Sequence, residues 1–193
     1  GRVDRQMFRN TLRRLRCLRF IVKGSGLLFK FSVATDSGCD LPAGFCSERK
    51  IHAYPMKYEI DEVEYTDKMD PVDCVKFYDL MRNGAVPKTS QMNPLEFVDF
   101  WTELYDSEHL PIVHVAMGSA ISGTCANAKI AVDLFLEQRS DAKVFVVDST
   151  LASIGYGMLC VKAADMRDAG STPEECVADL ENRKKNINTY YTT

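Results

Sequence analysis

The sequence lacks the features that several large classes of protein require. No apolar run approaches the roughly eighteen residues that a membrane-spanning helix needs, and there is neither an internal repeat nor a low-complexity tract. The composition, 46% hydrophobic and 26% charged over 193 residues, excludes a disordered polyelectrolyte. A chain of this length and composition is typical of a globular domain with a substantial core.

Metal ligands and disulfide pairs are also scarce. The seven cysteines are an odd number without a Cys-x-x-Cys pair, and only three histidines could assist them. We therefore expect no metal site, no disulfide framework and a reducing, cytoplasmic location.

The net charge of −3 conceals an uneven distribution. Residues 1–30 have a balance of +8, and residues 31–193 have a balance of −11. The acidic body argues against a nucleic-acid partner. We expect residues 1–28 to be a basic N-terminal extension outside the fold and residues 29–193 to form the domain. A transit peptide, a membrane-surface helix and a nucleic-acid tail remain alternative interpretations of the extension.

Continuous apolar strands alternate with helical patterns along the body. The sequence predicts buried strands at 31–35, 112–117 and 144–147, and a hairpin within 51–65 that turns at Asp61-Glu62. Helix starts are predicted at Asp70-Pro71, Asn93-Pro94, Ser122 and Thr172-Pro173. Strands without alternation, separated by helices, indicate an α/β fold with a parallel sheet covered by helices on both faces.

Loops rich in small hydroxyl residues follow these strands. The carboxyl ends of parallel strands meet at one edge of a sheet, where ligands bind in open α/β folds. Gly118 to Gly123 has the spacing of a phosphate loop, but Thr124 and Cys125 follow where such a loop needs lysine, which argues against an NTPase. A helix N-terminus with the hydroxyls of Ser119, Ser122 and Thr124 favours a carboxylate or a monoester phosphate instead. Ser122 could equally be a helix cap.

Nucleophilic catalysis has weak support in the sequence. Neither Ser119 nor Ser122 lies in the G-x-S-x-G pattern of a nucleophile elbow. His114 is on a predicted buried strand, where a core role is the more common one. Strand-end residues such as Asp36 and Asp148 most often bind nearby loop N–H groups. A serine-dependent esterase, a phosphotransferase and a binder of small polar anions stay open as alternatives.

Five motifs in order resemble the DegV family of bacterial lipid-binding proteins. They are TDSGCDLP from Thr35, YPMKYEIDEVEYTDKMD from Tyr54, PKTSQMNPLEF from Pro87, MGSAISGTCANA from Met117 and VFVVDSTLASIGYG from Val144. The chain departs from the family pattern at Gly118 and at residues 125–127. Family members continue into a second domain that closes the lipid pocket, so the resemblance implies that residues 29–193 are an N-terminal portion.

The resemblance implies a long-chain fatty acid as ligand and no cofactor. Matched residue by residue, the ligand-binding set is Ser90 and Ser122 with Thr89, Ser119, Gly123 and Thr124 beside them, supported by the loop of Asp36 and Ser37. It further implies a carrier subunit without catalytic residues of its own. Such a carrier presents the acid to a separate fatty acid kinase, which forms an acyl phosphate for phospholipid synthesis.

Overall fold

The computed structural model describes residues 29–190, and these residues form seven strands and six α-helices. The strands are β1 (Ser32–Asp36), β2 (Ile51–Tyr54), β3 (Lys57–Ile60), β4 (Val63–Thr66), β5 (Lys88–Thr89), β6 (Ile112–Ala116) and β7 (Val144–Asp148). The helices are α1 (Ala43–Glu48), α2 (Pro71–Arg82), α3 (Pro94–Glu108), α4 (Thr124–Gln138), α5 (Ile154–Asp168) and α6 (Pro173–Arg183). The predicted extension at residues 1–28 lies outside the described residues.

The main sheet has the strand order β2-β1-β6-β7, and every neighbouring pair is parallel. In register, Val33 of β1 lies opposite Ile51 of β2 and Val113 of β6. Because all four strands run the same way, the loops after them lie at one edge of the sheet. The predicted parallel α/β architecture is confirmed.

Helices cover both faces of this sheet, as predicted. Val33 and Ala34 are adjacent on β1 and wholly buried, yet they belong to different cores because successive side chains point to opposite faces. On the first face, α5 and α6 contribute buried residues such as Leu159 and Leu180. On the second, α3 and α4 contribute a more aromatic set: Phe97, Trp101, Ala128 and Phe135.

Helix starts follow the capping chemistry in the sequence. The Asn93 side chain accepts the N–H groups of Leu95 and Glu96, and Glu96 in turn accepts the N–H of Asn93. Thr172 and Glu175 form the same reciprocal cap at α6, and Asp70 caps α2. The start of α4 differs from the prediction. It lies at Thr124 because residues 118–122 make a tight turn first, in which Ser122 donates its N–H to the Gly118 carbonyl at 3.1 Å.

A second, antiparallel sheet with the order β4-β3-β5 stands apart from the main sheet. The predicted hairpin is confirmed, with Asp61 and Glu62 at φ values of 50° and 64° in its turn. Residues 51–60 do not belong to one sheet, however, because the chain leaves the main sheet at Pro55, which has no N–H to donate. The short strand β5, which the sequence patterns did not predict, pairs with β3.

Two further properties bear on the predicted class of protein. Among residues 29–190, no helix is long and apolar enough to cross a membrane. The six cysteines of this part of the chain are free thiols, and five of them are buried. Buried thiols of this kind pack as small apolar side chains.

Candidate functional site

A cavity of about 490 Å³ lies between the carboxyl edge of the main sheet and the unit formed by the small sheet and α2. The main sheet contributes the turn after β1 and the loop between β6 and α4. The small sheet contributes β3 and the residues that follow β5, and α2 contributes one of its faces. The volume is in the range of pockets that hold small organic ligands.

Six of the eight residues that the sequence singled out line this cavity. The set comprises Asp36, Ser37, Thr89, Ser90, Ser122 and Thr124, and it comes from three separate parts of the chain. The two others, Ser119 and Gly123, are not among the lining residues. The cavity therefore joins the TSQ loop (residues 89–91) with the SGT loop (residues 122–124).

Gly123 has a packing role instead of a lining role. A Cβ atom at this position would collide with Oε1 of Gln91, so glycine allows the TSQ loop to approach the SGT loop closely. The Nδ2 of Asn127 on α4 also donates to the Met92 carbonyl at 2.8 Å. These two contacts fix the distance between the two loops that carry the predicted hydroxyl donors.

Ser119 lies outside the lining because its loop is fastened to the loop after β7. Its backbone N–H donates to Oδ1 of Asp148 at 3.0 Å, and the N–H of Thr150 donates to the same oxygen at 3.1 Å. The neighbouring Gly118 approaches the backbone of Thr150 so closely that a Cβ atom there would lie 2.6 Å from its carbonyl carbon. The prediction that Asp148 binds loop N–H groups is confirmed.

The hydroxyls facing the cavity differ in how far they are already engaged. Ser122 Oγ lies 2.8 Å from Thr124 Oγ1 and accepts the Thr124 N–H at 3.2 Å. The N-cap of α4 is Gly123, so Ser122 is not the helix cap that the sequence allowed. Within residues 29–190, the side chains of Thr89 and Ser90 make no hydrogen bond, and the N–H groups of Cys125 and Ala126 have no partner. Free hydroxyls beside a helix N-terminus are suited to an anionic oxygen.

Asp36 places a carboxyl group in the floor of the cavity. Its Oδ1 accepts the Gly38 N–H at 3.0 Å and the Tyr156 hydroxyl at 2.5 Å, whereas its Oδ2 is buried without a partner in the described part of the protein. Burial raises the pKa of Asp36, although the bonds from Tyr156 and Gly38 oppose the rise. The predicted contact with a loop N–H is confirmed. The contact with Tyr156 was not predicted, because Tyr156 follows Asp36 by 120 residues.

Apolar side chains form much of the remaining wall. Met56, Tyr58, Phe77, Met117 and Ile121 all line the cavity. Tyr58 and Phe77 are in edge-to-face contact at 5.1 Å, which joins β3 to α2. This wall was not predicted from the sequence, because the helical spacing of α2 shows an apolar face without showing what the face covers.

The charged lining residues are of both signs. Lys57 and Lys68 are the two bases, while Asp40, Asp67 and Asp73 join Asp36 as acids. No histidine lines the cavity among the described residues. His114, the histidine nearest in sequence to the SGT loop, is wholly buried and accepts the Trp101 Nε1–H at 3.3 Å. Its predicted core role is therefore confirmed.

Comparisons with known proteins agree on one family. Residues 30–193 match the family model described as uncharacterised protein, DegV family. A DegV domain-containing protein of Clostridium perfringens is 35% identical over 164 residues, which cover 84% of this chain and 56% of the relative. A fatty acid-binding protein of Thermotoga maritima is 29% identical over 160 residues, covering 81% of this chain and 54% of the relative. The chain thus spans about half the length of these relatives.

Solved structures give the same answer for the fold. A DegV lipid-binding protein from Thermotoga maritima superposes with a TM-score of 0.71 at 28% identity, covering 81% of this chain and 55% of that one. The structure of DegV from Bacillus subtilis, described as a fatty acid-binding protein, has a TM-score of 0.71 at 25% identity over 81% of this chain and 54% of that one.

Proposed function

This chain belongs to the DegV family, and we propose that it binds a long-chain fatty acid in the cavity beside the TSQ and SGT loops. The observation that carries the proposal is the composition of that one cavity. Free hydroxyls and a helix N-terminus lie on one side of it, and the aromatic contact of Tyr58 with Phe77 lies on another. A fatty acid has the same two-part chemistry.

The carboxylate end is assigned to Ser90 and Ser122, with Thr89 and Thr124 next to them. A hydrogen bond from a hydroxyl to a carboxylate contributes about 1.5–3 kcal/mol. The acyl chain is assigned to the wall of Met56, Tyr58 and Phe77, where each fully buried methylene contributes about 0.8 kcal/mol. Burial of the acyl chain therefore supplies most of the binding free energy, and the hydroxyls fix the orientation of the ligand.

We further infer that the protein is a carrier and that a separate kinase modifies the bound acid. In that reaction a carboxylate oxygen attacks the γ-phosphorus of ATP, ADP leaves, and an acyl phosphate forms. The kinase would supply the nucleotide site, since the loop at 118–123 has no lysine of the Walker type. The use of the acyl phosphate for phospholipid synthesis and the cytoplasmic location stay predictions.

The ligand class is tested by displacement of a fluorescent fatty acid from the full chain. Palmitic acid is expected to displace it, hexadecanol to displace it at least about tenfold more weakly, and acetate not at all, because both ends of the ligand are recognised. Displacement by acetate or inorganic phosphate alone would favour a binder of small polar anions and contradict the proposal.

The carrier role is tested by catalysis assays on the same preparation. We expect acyl hydroxamate from palmitic acid, ATP and hydroxylamine only when a fatty acid kinase is added. Steady hydrolysis of p-nitrophenyl esters that is lost in Ser119→Ala or Ser122→Ala would establish the alternative of a serine esterase. Acyl phosphate formation by the chain alone would establish the phosphotransferase.

A further inference from the structure

The connections of the main sheet diverge between β1 and β6. The chain after β1 runs through α1 to β2 on one side of this pair, and the chain after β6 runs through α4 to β7 on the other. Helix α1 packs into the core on the first face through Cys46, whereas α4 packs into the core on the second face through Phe135. The loops after β1 and β6 therefore separate and leave a crevice at the carboxyl edge. Ligands of open α/β sheets bind in a crevice of this kind.

Asp36 and the SGT loop border this crevice from opposite sides. Ala34 of β1 lies opposite His114 of β6, and two residues further on Asp36 and Ala116 end the two strands. The SGT loop follows β6, and its Ser122 lines the cavity together with Asp36. The carboxyl group of Asp36 thus borders the same crevice as a hydroxyl to which the ligand carboxylate is assigned.

The two oxygens of Asp36 differ in their hydrogen bonding. Asp36 is 1% exposed, and its Oδ1 accepts the N–H of Gly38 and the hydroxyl of Tyr156. Its Oδ2 is buried and has no partner within residues 29–190. Buried oxygens in proteins are nearly always hydrogen-bonded, either to the protein or to a bound molecule. An unpartnered oxygen at the edge of a cavity therefore indicates a group that a ligand supplies.

The charges around Asp36 determine which form of its carboxyl group fits an anionic ligand. The titratable groups that face it are Tyr156 and Cys160 of α5, Asp40 in the turn after β1 and Asp67 after β4. None of these four is a base. Of the two bases that line the cavity, Lys57 is already paired with Glu64 at 3.5 Å, and Lys68 follows β4. Two carboxyl groups that share such a site do not both carry a charge, because each disfavours ionisation of the other.

We propose that Asp36 is a further ligand-binding residue, whose neutral carboxyl group donates a hydrogen bond from Oδ2 to an oxygen of the fatty-acid carboxylate. The inference rests on the proposed function, since it concerns the same ligand. The proton stays on Oδ2, and the ligand keeps its negative charge. Wherever the free protein carries Asp36 as a carboxylate, binding takes up one proton from the solution. Affinity for the fatty acid is therefore linked to pH through this one residue.

The first test is isothermal titration calorimetry of the full chain with decanoic acid between about pH 6 and pH 9, where the monomeric acid stays ionised. The wild-type affinity should fall about tenfold for each unit of pH once Asp36 is ionised in the free protein. Asp36→Asn keeps an acceptor for Tyr156 and Gly38 and places an N–H donor where Oδ2 lies. Its affinity should not vary with pH, and at pH 9 it should exceed that of the wild-type protein.

The matched control is Asp73→Asn, which removes a different carboxylate from the cavity lining. Asp73 is paired with Lys76 at 3.1 Å on the exposed helix α2, so the variant should keep the pH dependence of the wild-type protein. The same titrations in buffers of different ionisation enthalpy count the protons. In the alkaline part of the range the wild-type protein should take up about one proton for each decanoic acid bound, and Asp36→Asn none.

The outcomes separate this inference from the proposed function. Equal affinity and equal proton uptake in the wild-type protein and Asp36→Asn at every pH would overturn the inference and leave fatty-acid binding in place. A pH dependence that persists in Asp36→Asn and disappears in Asp73→Asn would overturn it as well, because the proton would then belong to Asp73. A chain that binds neither decanoic nor palmitic acid at any pH would overturn the proposed function and this inference with it.

Discussion

The hydroxyl of Tyr156 on α5 lies 2.5 Å from Oδ1 of Asp36, at the end of β1. Both residues are almost wholly buried, and the bond lies beneath the cavity. It therefore couples the helix layer on one face of the sheet to the floor of the ligand site. Gly38 must be glycine for the same reason, since a Cβ atom there would lie 2.7 Å from the Tyr156 hydroxyl.

Loss of the Tyr156 hydroxyl should destabilise the fold and raise the pKa of Asp36 further, because that hydroxyl opposes the effect of burial. Tyr156→Phe is expected to cost about 1–3 kcal/mol in the free energy of unfolding, the cost of leaving a buried acceptor unsatisfied. Urea unfolding at neutral pH measures it. An unchanged midpoint would show that the bond contributes nothing.

The titration of Asp36 has a definite sign. Since burial raises the pKa in the folded state above 3.8, the contribution of Asp36 to stability is complete below that pH and is lost as the pH rises through the folded-state pKa. The Asp36→Asn variant lacks this titration. As the pH rises above 3.8, the free energy of unfolding of the wild-type protein should fall relative to that of Asp36→Asn. Unfolding free energies that change with pH in the same way in both proteins would contradict a raised pKa for Asp36.

His114 predicts a loss of stability in acid. Burial lowers the pKa of His114 to about 3, so the folded protein keeps the ring neutral while the unfolded chain takes up a proton below pH 6.5. The fold should therefore lose about 2 kcal/mol from this group between neutral pH and pH 5. His114→Gln retains an acceptor for Trp101 and should remove that slope from unfolding curves. If the free energy of unfolding of the variant still falls between neutral pH and pH 5, other groups cause the loss of stability in acid.

The hydroxyls of Ser90 and Ser122 are expected to determine affinity for the carboxylate. Ser122→Ala and Ser90→Ala should each weaken palmitic acid binding roughly tenfold to a hundredfold, as expected for hydrogen bonds to a charged group. Displacement of a fluorescent fatty acid measures the change. Ser140→Ala, an exposed serine outside the cavity, is the control and should leave the affinity unchanged. Equal affinities in all three variants would remove both serines from the site.

Phe77 is expected to determine how steeply affinity depends on the length of the acyl chain. Phe77→Leu shortens the apolar wall, so it should weaken the binding of C16 and C18 acids more than that of C8 acids. Phe100→Leu is the control, because Phe100 is similarly half-buried but packs against Tyr54 outside the cavity. A uniform loss across C8 to C18 would place the acyl chain elsewhere.

Much of this architecture follows from local sequence patterns. Continuous apolar strands predicted the parallel sheet, and Asn93 and Thr172 predicted helix starts, because a cap depends only on residues within one turn. The same holds for the turn at Asp61 and Glu62. The hydroxyls of the SGT loop were expected near a ligand because that loop follows a predicted strand and opens a helix, whereas those of the TSQ loop were expected only from the resemblance to the DegV family.

Contacts between distant segments could not be predicted in this way. Ser119 was expected beside the ligand, but its loop is held away from the cavity lining by Asp148, which lies 29 residues later in the sequence. The separate sheet of β3, β4 and β5 and the bond from Tyr156 to Asp36 depend on similar long-range packing. Helical periodicity shows that a face is apolar, but it does not show whether that face covers a cavity, as Phe77 does.

The central claim is that this cavity holds a long-chain fatty acid, and native mass spectrometry of the full chain purified from cells tests it most directly. We expect a retained mass corresponding to a long-chain fatty acid. That mass should disappear on denaturation, return on incubation with palmitic acid and be strongly reduced in Ser122→Ala. A chain that carries no adduct, and acquires none when incubated with C16 or C18 acids, would contradict it.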